Sequence, residues 1–258
     1  MRRPWPTRCT SCSIPKAVIL TRDECRPAGA LPCDDSPDHG SMTAPPPRLA
    51  AVSGVAAALV LDGVFLWAGA RRPGYSSISG LVSELSLGPD GWVQKTNFVV
   101  SGLLFLVFAL GLLRAVAGQR DLVRAARCFV VVGFGLAVCG VFDTDPFPRA
   151  VPPSLAGVIH DLSAIIVFSA MTRGLWVFSR GARTSERWAG LASFARVCAV
   201  LTGVLFVLGG IAFPHPLKPA APWLTAHVGL LQRLSQAAFF AGAGAIAVRS
   251  WSTARVRA

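Results

Sequence analysis

Acidic residues are scarce in this chain. Only 13 Asp and Glu stand against 25 Lys and Arg, and charged residues of both signs fill 15% of its 258 positions. Soluble domains carry about 25%, so the shortage excludes an ordinary soluble domain, which needs polar side chains to cover its surface. Strand-like alternation of polar and apolar residues is also missing, which argues against a membrane barrel. No His-x-x-x-His, nucleophile elbow, Walker loop or redox Cys pair lies in the apolar stretches, so no complete catalytic signature is present.

What the chain has instead is long apolar runs, with 53% hydrophobic residues overall. A membrane-crossing helix needs about 20 mostly apolar residues. Six stretches fit: 49–70, 97–117, 125–142, 155–178, 197–213 and 226–248. Their glycines and prolines are better tolerated in membrane helices than in soluble ones. The expected fold is all-α, an integral membrane bundle of six transmembrane helices over residues 49–250. A basic tail at 251–258 follows.

The net charge of +12 does not point to nucleic acid, because the basic residues flank apolar runs instead of forming a continuous patch. Flanking Arg and Lys set orientation. With both termini inside, cytoplasmic flanks carry Arg48, Arg114, Arg120, Arg124, Arg127, Arg180, Arg183, Arg187, Arg196, Arg249, Arg255 and Arg257. Outer loops carry Arg71, Arg72, Lys95, Arg149 and Lys218. This asymmetry predicts a multi-pass cell-membrane protein with cytoplasmic N- and C-termini.

Residues 1–48 read differently. Cys9, Cys12, Cys25 and Cys33 sit among prolines and mixed charges. Zinc sites usually pair one Cys-x-x-Cys with a second close pair; Cys25 and Cys33 are too far apart to supply it. The segment is expected to be a disordered leader, either upstream of a true start at Met42 or a cytoplasmic tail. Cys128, Cys139 and Cys198 lie in apolar runs and read as small buried hydrophobes.

Under this orientation most acids and histidines fall on the outer side. In the loop after the first span, Ile78, Leu81, Val82 and Leu85 have helical spacing, predicting a short amphipathic helix that lies on the outer surface or caps the bundle, with Ser83 and Glu84 toward the bundle mouth. Ser79 and Ser83 equally suit plain helix capping or solvation. Asp143 and Asp145, two residues apart before Pro146, suit either a cation or water site or turn-building. His160 lies one turn into the fourth span, where a polar side chain needs a partner, and Asp143 or Asp145 is the expected one. His215, His227, Asn97 and Gln232 are further outer-face polar candidates. In the last span Gly229, Gln232, Arg233 and Gln236 share one face. Arg233 needs an acceptor there, and Asp62, the only acid deep in another span, is the expected partner.

These features together resemble a bacterial six-span membrane family catalogued as domain of unknown function 998. The resemblance rests on Ser79-Gly-Leu-Val-Ser-Glu84, Asn97-Phe-Val-Val-Ser-Gly102, Gly140-Val-Phe-Asp-Thr-Asp145, His160 and Gly229-Leu-Leu-Gln-Arg233. Members often carry Glu where Gln232 stands. The resemblance implies the six-span fold and no established activity. The favoured reading is a non-enzymatic component that interacts with membrane lipids or serves as an accessory or assembly protein. A metal-dependent hydrolase is the alternative, with Asp143, Asp145, His160 and His215 or His227 as ligands and Glu84 as base. A small proton-coupled transporter centred on Asp62 and Arg233 is the third. No metal or cofactor is assigned. A homo-oligomer or a membrane-protein partner remains open.

Overall fold

The computed structural model describes residues 47–146, 152–212 and 221–254. The leader cysteines, Arg149, His215, Lys218 and the last four residues lie outside them.

Six long helices form the bundle: α1 (Pro47–Arg71), α2 (Gly91–Ala115), α3 (Arg120–Val141), α4 (Leu155–Ala182), α5 (Ala192–Ala212) and α7 (Val228–Ala254). A five-residue helix, α6 (Pro222–Ala226), precedes α7, and two 3-10 turns, η1 (Val82–Ser86) and η2 (Ala189–Leu191), lie in links. Consecutive helices pack side by side, and α7 closes the ring against α5 and α1. Breakers punctuate the helices as expected. Pro73 follows α1, Gly118 turns with φ +84° after α2, and Pro146 follows α3. Ser154 caps α4 by accepting a hydrogen bond from the Gly157 N–H at 2.9 Å.

Among the described residues, five helices are long and apolar enough to cross a membrane: α1 to α5. At 27 residues α7 is long enough, but Gln232, Arg233, Ser235 and Gln236 dilute its apolarity. Large apolar side chains cover the outside of the bundle. Leu59 is 69% exposed and Phe134 65%, as suits a surface that faces lipid. The chain is a helical membrane bundle.

Inside, Phe105 packs against Phe108, Phe129, Phe239 and Phe240 at ring separations of 5.4–5.8 Å. Lipid is as apolar as these rings, so their contribution comes from close packing and ring geometry, not from leaving water. Small residues let backbones meet. A Cβ on Gly102 would sit 2.6 Å from the Gly133 carbonyl oxygen, so α2 and α3 touch at their main chains.

Two expectations change. The helices overrun the expected spans, α2 beginning at Gly91 instead of 97, because hydropathy marks only the hydrocarbon-buried part. The outer-loop element caps the bundle, one of the two placements expected of it, but as a 3-10 turn and not as an α-helix. Leu81 is extended at φ −69°, ψ 148°, and only a 3-10 turn follows, with Leu81, Val82, Ser83 and Leu85 buried while Ile78 is exposed. The loop is a plug pushed into the bundle end.

Candidate functional site

What holds the plug is the start of α7. Arg233 is buried, and its Nη1 donates to the Gly80 carbonyl at 2.8 Å and to the Gly229 carbonyl at 3.0 Å. Its Nη2 donates to the Tyr75 hydroxyl. The guanidinium carbon lies 5.5 Å from the Phe65 ring centre and 5.6 Å from that of Tyr75, giving cation–π contact on both rings. Tyr75, the sole tyrosine, in turn donates to the Leu81 carbonyl at 2.8 Å. Burial pushes its phenol above the ordinary 10.0, while the Arg233 charge pulls the other way. Beside Arg233, Gln232 Oε1 accepts the Val82 N–H at 2.8 Å, and the Leu230 N–H reaches the Ile78 carbonyl at 2.9 Å.

The expected Asp62–Arg233 pair is not formed. No ion pair joins them among the described residues, and Asp62 Oδ1 is buried without a hydrogen-bond partner. Helical side chains lean toward the helix N-terminus, which carries Arg233 out toward the plug, and the Phe65 ring lies against it on the α1 side. A transporter centre made of those two residues is therefore not assembled.

The other carboxylates serve the scaffold. Glu84 Oε2 accepts the Leu81 N–H at 2.8 Å, closing the 3-10 turn. Asp143 pairs with Lys95 at 2.8 Å, both side chains more than a third exposed. Asp145 accepts the Ser154 N–H at 3.0 Å and hydroxyl at 2.7 Å, so a carboxylate sits at the positive start of α4. Asn97 donates to the Leu61 carbonyl at 3.1 Å and accepts from Ser101, tying α2 to α1. His227 stacks on Trp223 with ring centres 4.6 Å apart, and its Nδ1 lies 2.8 Å from the Trp223 carbonyl. No three of His, Cys, Asp and Glu come together as a metal-holding group among the described residues.

Three candidates, Ser83, His160 and Gln232, do share a cavity. Ser83 from the plug and His160 from α4 line a space of 320 Å³, together with Asp161 and Gln232. His160 is buried, and its Nδ1 lies 2.9 Å from the Phe142 carbonyl and 3.1 Å from that of Cys139. In a neutral ring those acceptors place the proton on Nδ1. The rest of the wall is apolar: Ala164, Ile165 and Phe168 from α4, Leu205 and Phe206 from α5, Val228 from α7. Phe168 and Phe206 stack at 4.9 Å to form the floor. A Cβ on Gly209 would meet nothing within 4 Å, so the glycine leaves the space open. Nothing in the sequence pattern marked Phe206 or Gly209; the Gly209-Gly210 doublet in an otherwise bulky run is the only signal that points there. The site is a pocket with one polar end and long apolar sides.

The sequence profile of one family matches residues 54–249, under the description protein of unknown function (DUF998). The chain belongs to that family. Every residue of the plug, its Arg233 anchor and the cavity lies within the DUF998 match. No curated protein and no solved structure matches the chain significantly.

Proposed function

We propose that this DUF998 chain is a non-enzymatic membrane protein that binds a lipid-like amphiphile in the cavity between α4, α5 and α7. The observation that carries the reading is the division of that cavity. Ser83, His160, Asp161 and Gln232 offer donors and acceptors at one end, and Phe168, Phe206 and Leu205 offer apolar wall. Such a pocket suits a ligand with a small polar head and a hydrocarbon tail. Ile165, 52% exposed on the cavity's α4 wall, opens it sideways toward lipid. The engagement of Glu84, Asp143 and Asp145 in scaffold contacts favours binding over hydrolysis. In this proposal α7 is a sixth crossing, its polar face turned inward. The bundle lies in the cell membrane with its Arg-rich end and both termini cytoplasmic, as the flanking charges favour.

The test is lipid retention by native mass spectrometry on detergent-purified protein. Gly209→Leu projects into the cavity from a position where a Cβ meets nothing within 4 Å, and His160→Ala removes the polar head contact. The reading expects a retained lipid-sized mass in the native chain and severalfold less in both variants. Equal retention in all three, at unchanged thermal stability, would overturn it.

A further inference from the structure

On the α4–α5 surface, nearer the Arg-rich end, runs a second and wider groove. It encloses 760 Å³ and is lined by Arg173, Trp176, Thr172, Val200, Gly203 and Val204 among others. Arg173 is exposed on an otherwise apolar face of α4. Arg196, near the start of α5, lies over the Trp176 ring with its guanidinium carbon 5.1 Å from the centre, and its Nε is buried without a partner. Neither arginine forms an ion pair among the described residues, and the protein partner of Arg173 is the uncharged Cys128 thiol of α3. The acids at this end are Asp121 and Glu186, and Asp121 is engaged by Arg124 at 3.1 Å. An exposed guanidinium on a lipid-facing wall requires an anion or a path to water. Arg173 lies five residues before the end of the apolar run at 178, about 7.5 Å along the axis, so its side chain reaches up toward the headgroup level. A phosphate brought in at the top of a hydrocarbon chain meets the requirement. Guanidinium forks match phosphate oxygens in pairs, and the tryptophan marks the interfacial level where headgroups lie.

We propose that this groove holds one anionic phospholipid, its phosphate bound by Arg173 and Arg196 and one acyl chain lying along Val200, Gly203 and Val204. The site is separate from the cavity at Ser83 and His160, although both use Phe206 as a wall. The occupant is a lipid and not free phosphate, because the apolar trough continues directly from Arg173 and from Trp176, on which Arg196 lies.

The experiment reconstitutes the full chain in phosphatidylcholine mixed with phosphatidylglycerol, extracts it, and counts retained lipids by native mass spectrometry. The expected result is a preference for phosphatidylglycerol, reduced roughly fivefold by Arg173→Gln and again by Arg196→Gln. Arg183→Gln, an exposed arginine of the same end outside the groove, is the charge-matched control and retains the preference. So does Gly209→Leu, which separates failure here from failure of the cavity reading. Arg173 is exposed, so its variant keeps the fold, and thermal unfolding checks this. No preference in the native chain, equal loss in the Arg183 control, or equal thermal stabilisation by inorganic phosphate alone would each overturn the proposal.

Discussion

Replacing Arg233 with Ala removes the clamp that holds the plug in the bundle end. Two of its bonds, to Tyr75 and to the Gly80 carbonyl, join different elements. The third, to Gly229, stays within α7 and counts for little, since that carbonyl already serves the helix. Hydrogen bonds to charged donors contribute about 1.5–3 kcal/mol in soluble proteins, while those between membrane helices average about 0.6. About 1 kcal/mol for each of the two bonds, plus about 1 for the two ring faces, gives a loss of about 3 kcal/mol. Arg233→Lys keeps the charge but not the planar fork, so it serves one acceptor well and restores less than half. The assay is reversible unfolding in detergent micelles, with limited proteolysis between residues 72 and 90 as a local readout. The clamp predicts faster cleavage there in Arg233→Ala. It also predicts a coupling of about 1 kcal/mol between Arg233→Ala and Tyr75→Phe in a double-mutant cycle, and none with Asp62→Asn. A total loss under about 0.5 kcal/mol with unchanged cleavage would refute the reasoning.

Gly102→Val drives two methyl groups into the Gly133 main chain and is expected to cost more than about 2 kcal/mol, read by the same unfolding assay. Gly63→Val, where a Cβ meets nothing, costs far less. Asp143→Asn breaks a partly exposed pair with Lys95 and is expected to cost under about 1 kcal/mol. Asp145→Ala strips the buried acceptor from both the N–H and hydroxyl of Ser154 and costs severalfold more. Tyr75 titrates with a midpoint above 10.0 in the folded protein, because its burial disfavours the phenolate. Its contribution to stability is therefore full below 10 and lost as pH rises through the folded midpoint, which tyrosinate absorbance follows directly in a chain with one tyrosine.

The bundle was legible because apolar runs, breakers and flanking arginines each carry a local signal. Placement of Arg233 on a buried face of α7 followed from its spacing with Gly229, Gln232 and Gln236. Its partner did not, because that partner is a phenol and a carbonyl from a loop more than 150 residues away, and acid–base complementarity pointed to Asp62 instead. The loop after α1 misled for a related reason. Ile78, Leu81, Val82 and Leu85 keep helical spacing, yet the extended Leu81 and the Glu84 side chain on its N–H set a different local geometry. Ser83 and His160 were each visible alone as polar residues near one membrane face. That they share a cavity depends on the Phe168–Phe206 stack and on the bare Cα of Gly209, which no local pattern announces.

The most direct test of the cavity reading is to reconstitute the protein with a lipid carrying a photoreactive group midway along its acyl chain, then map the adducts by peptide mass spectrometry. Binding in the cavity predicts adducts concentrated at Phe168, Leu205 and Phe206 and lost in Gly209→Leu. Adducts spread evenly over lipid-facing residues such as Leu59 and Phe134, and unchanged in that variant, would contradict it.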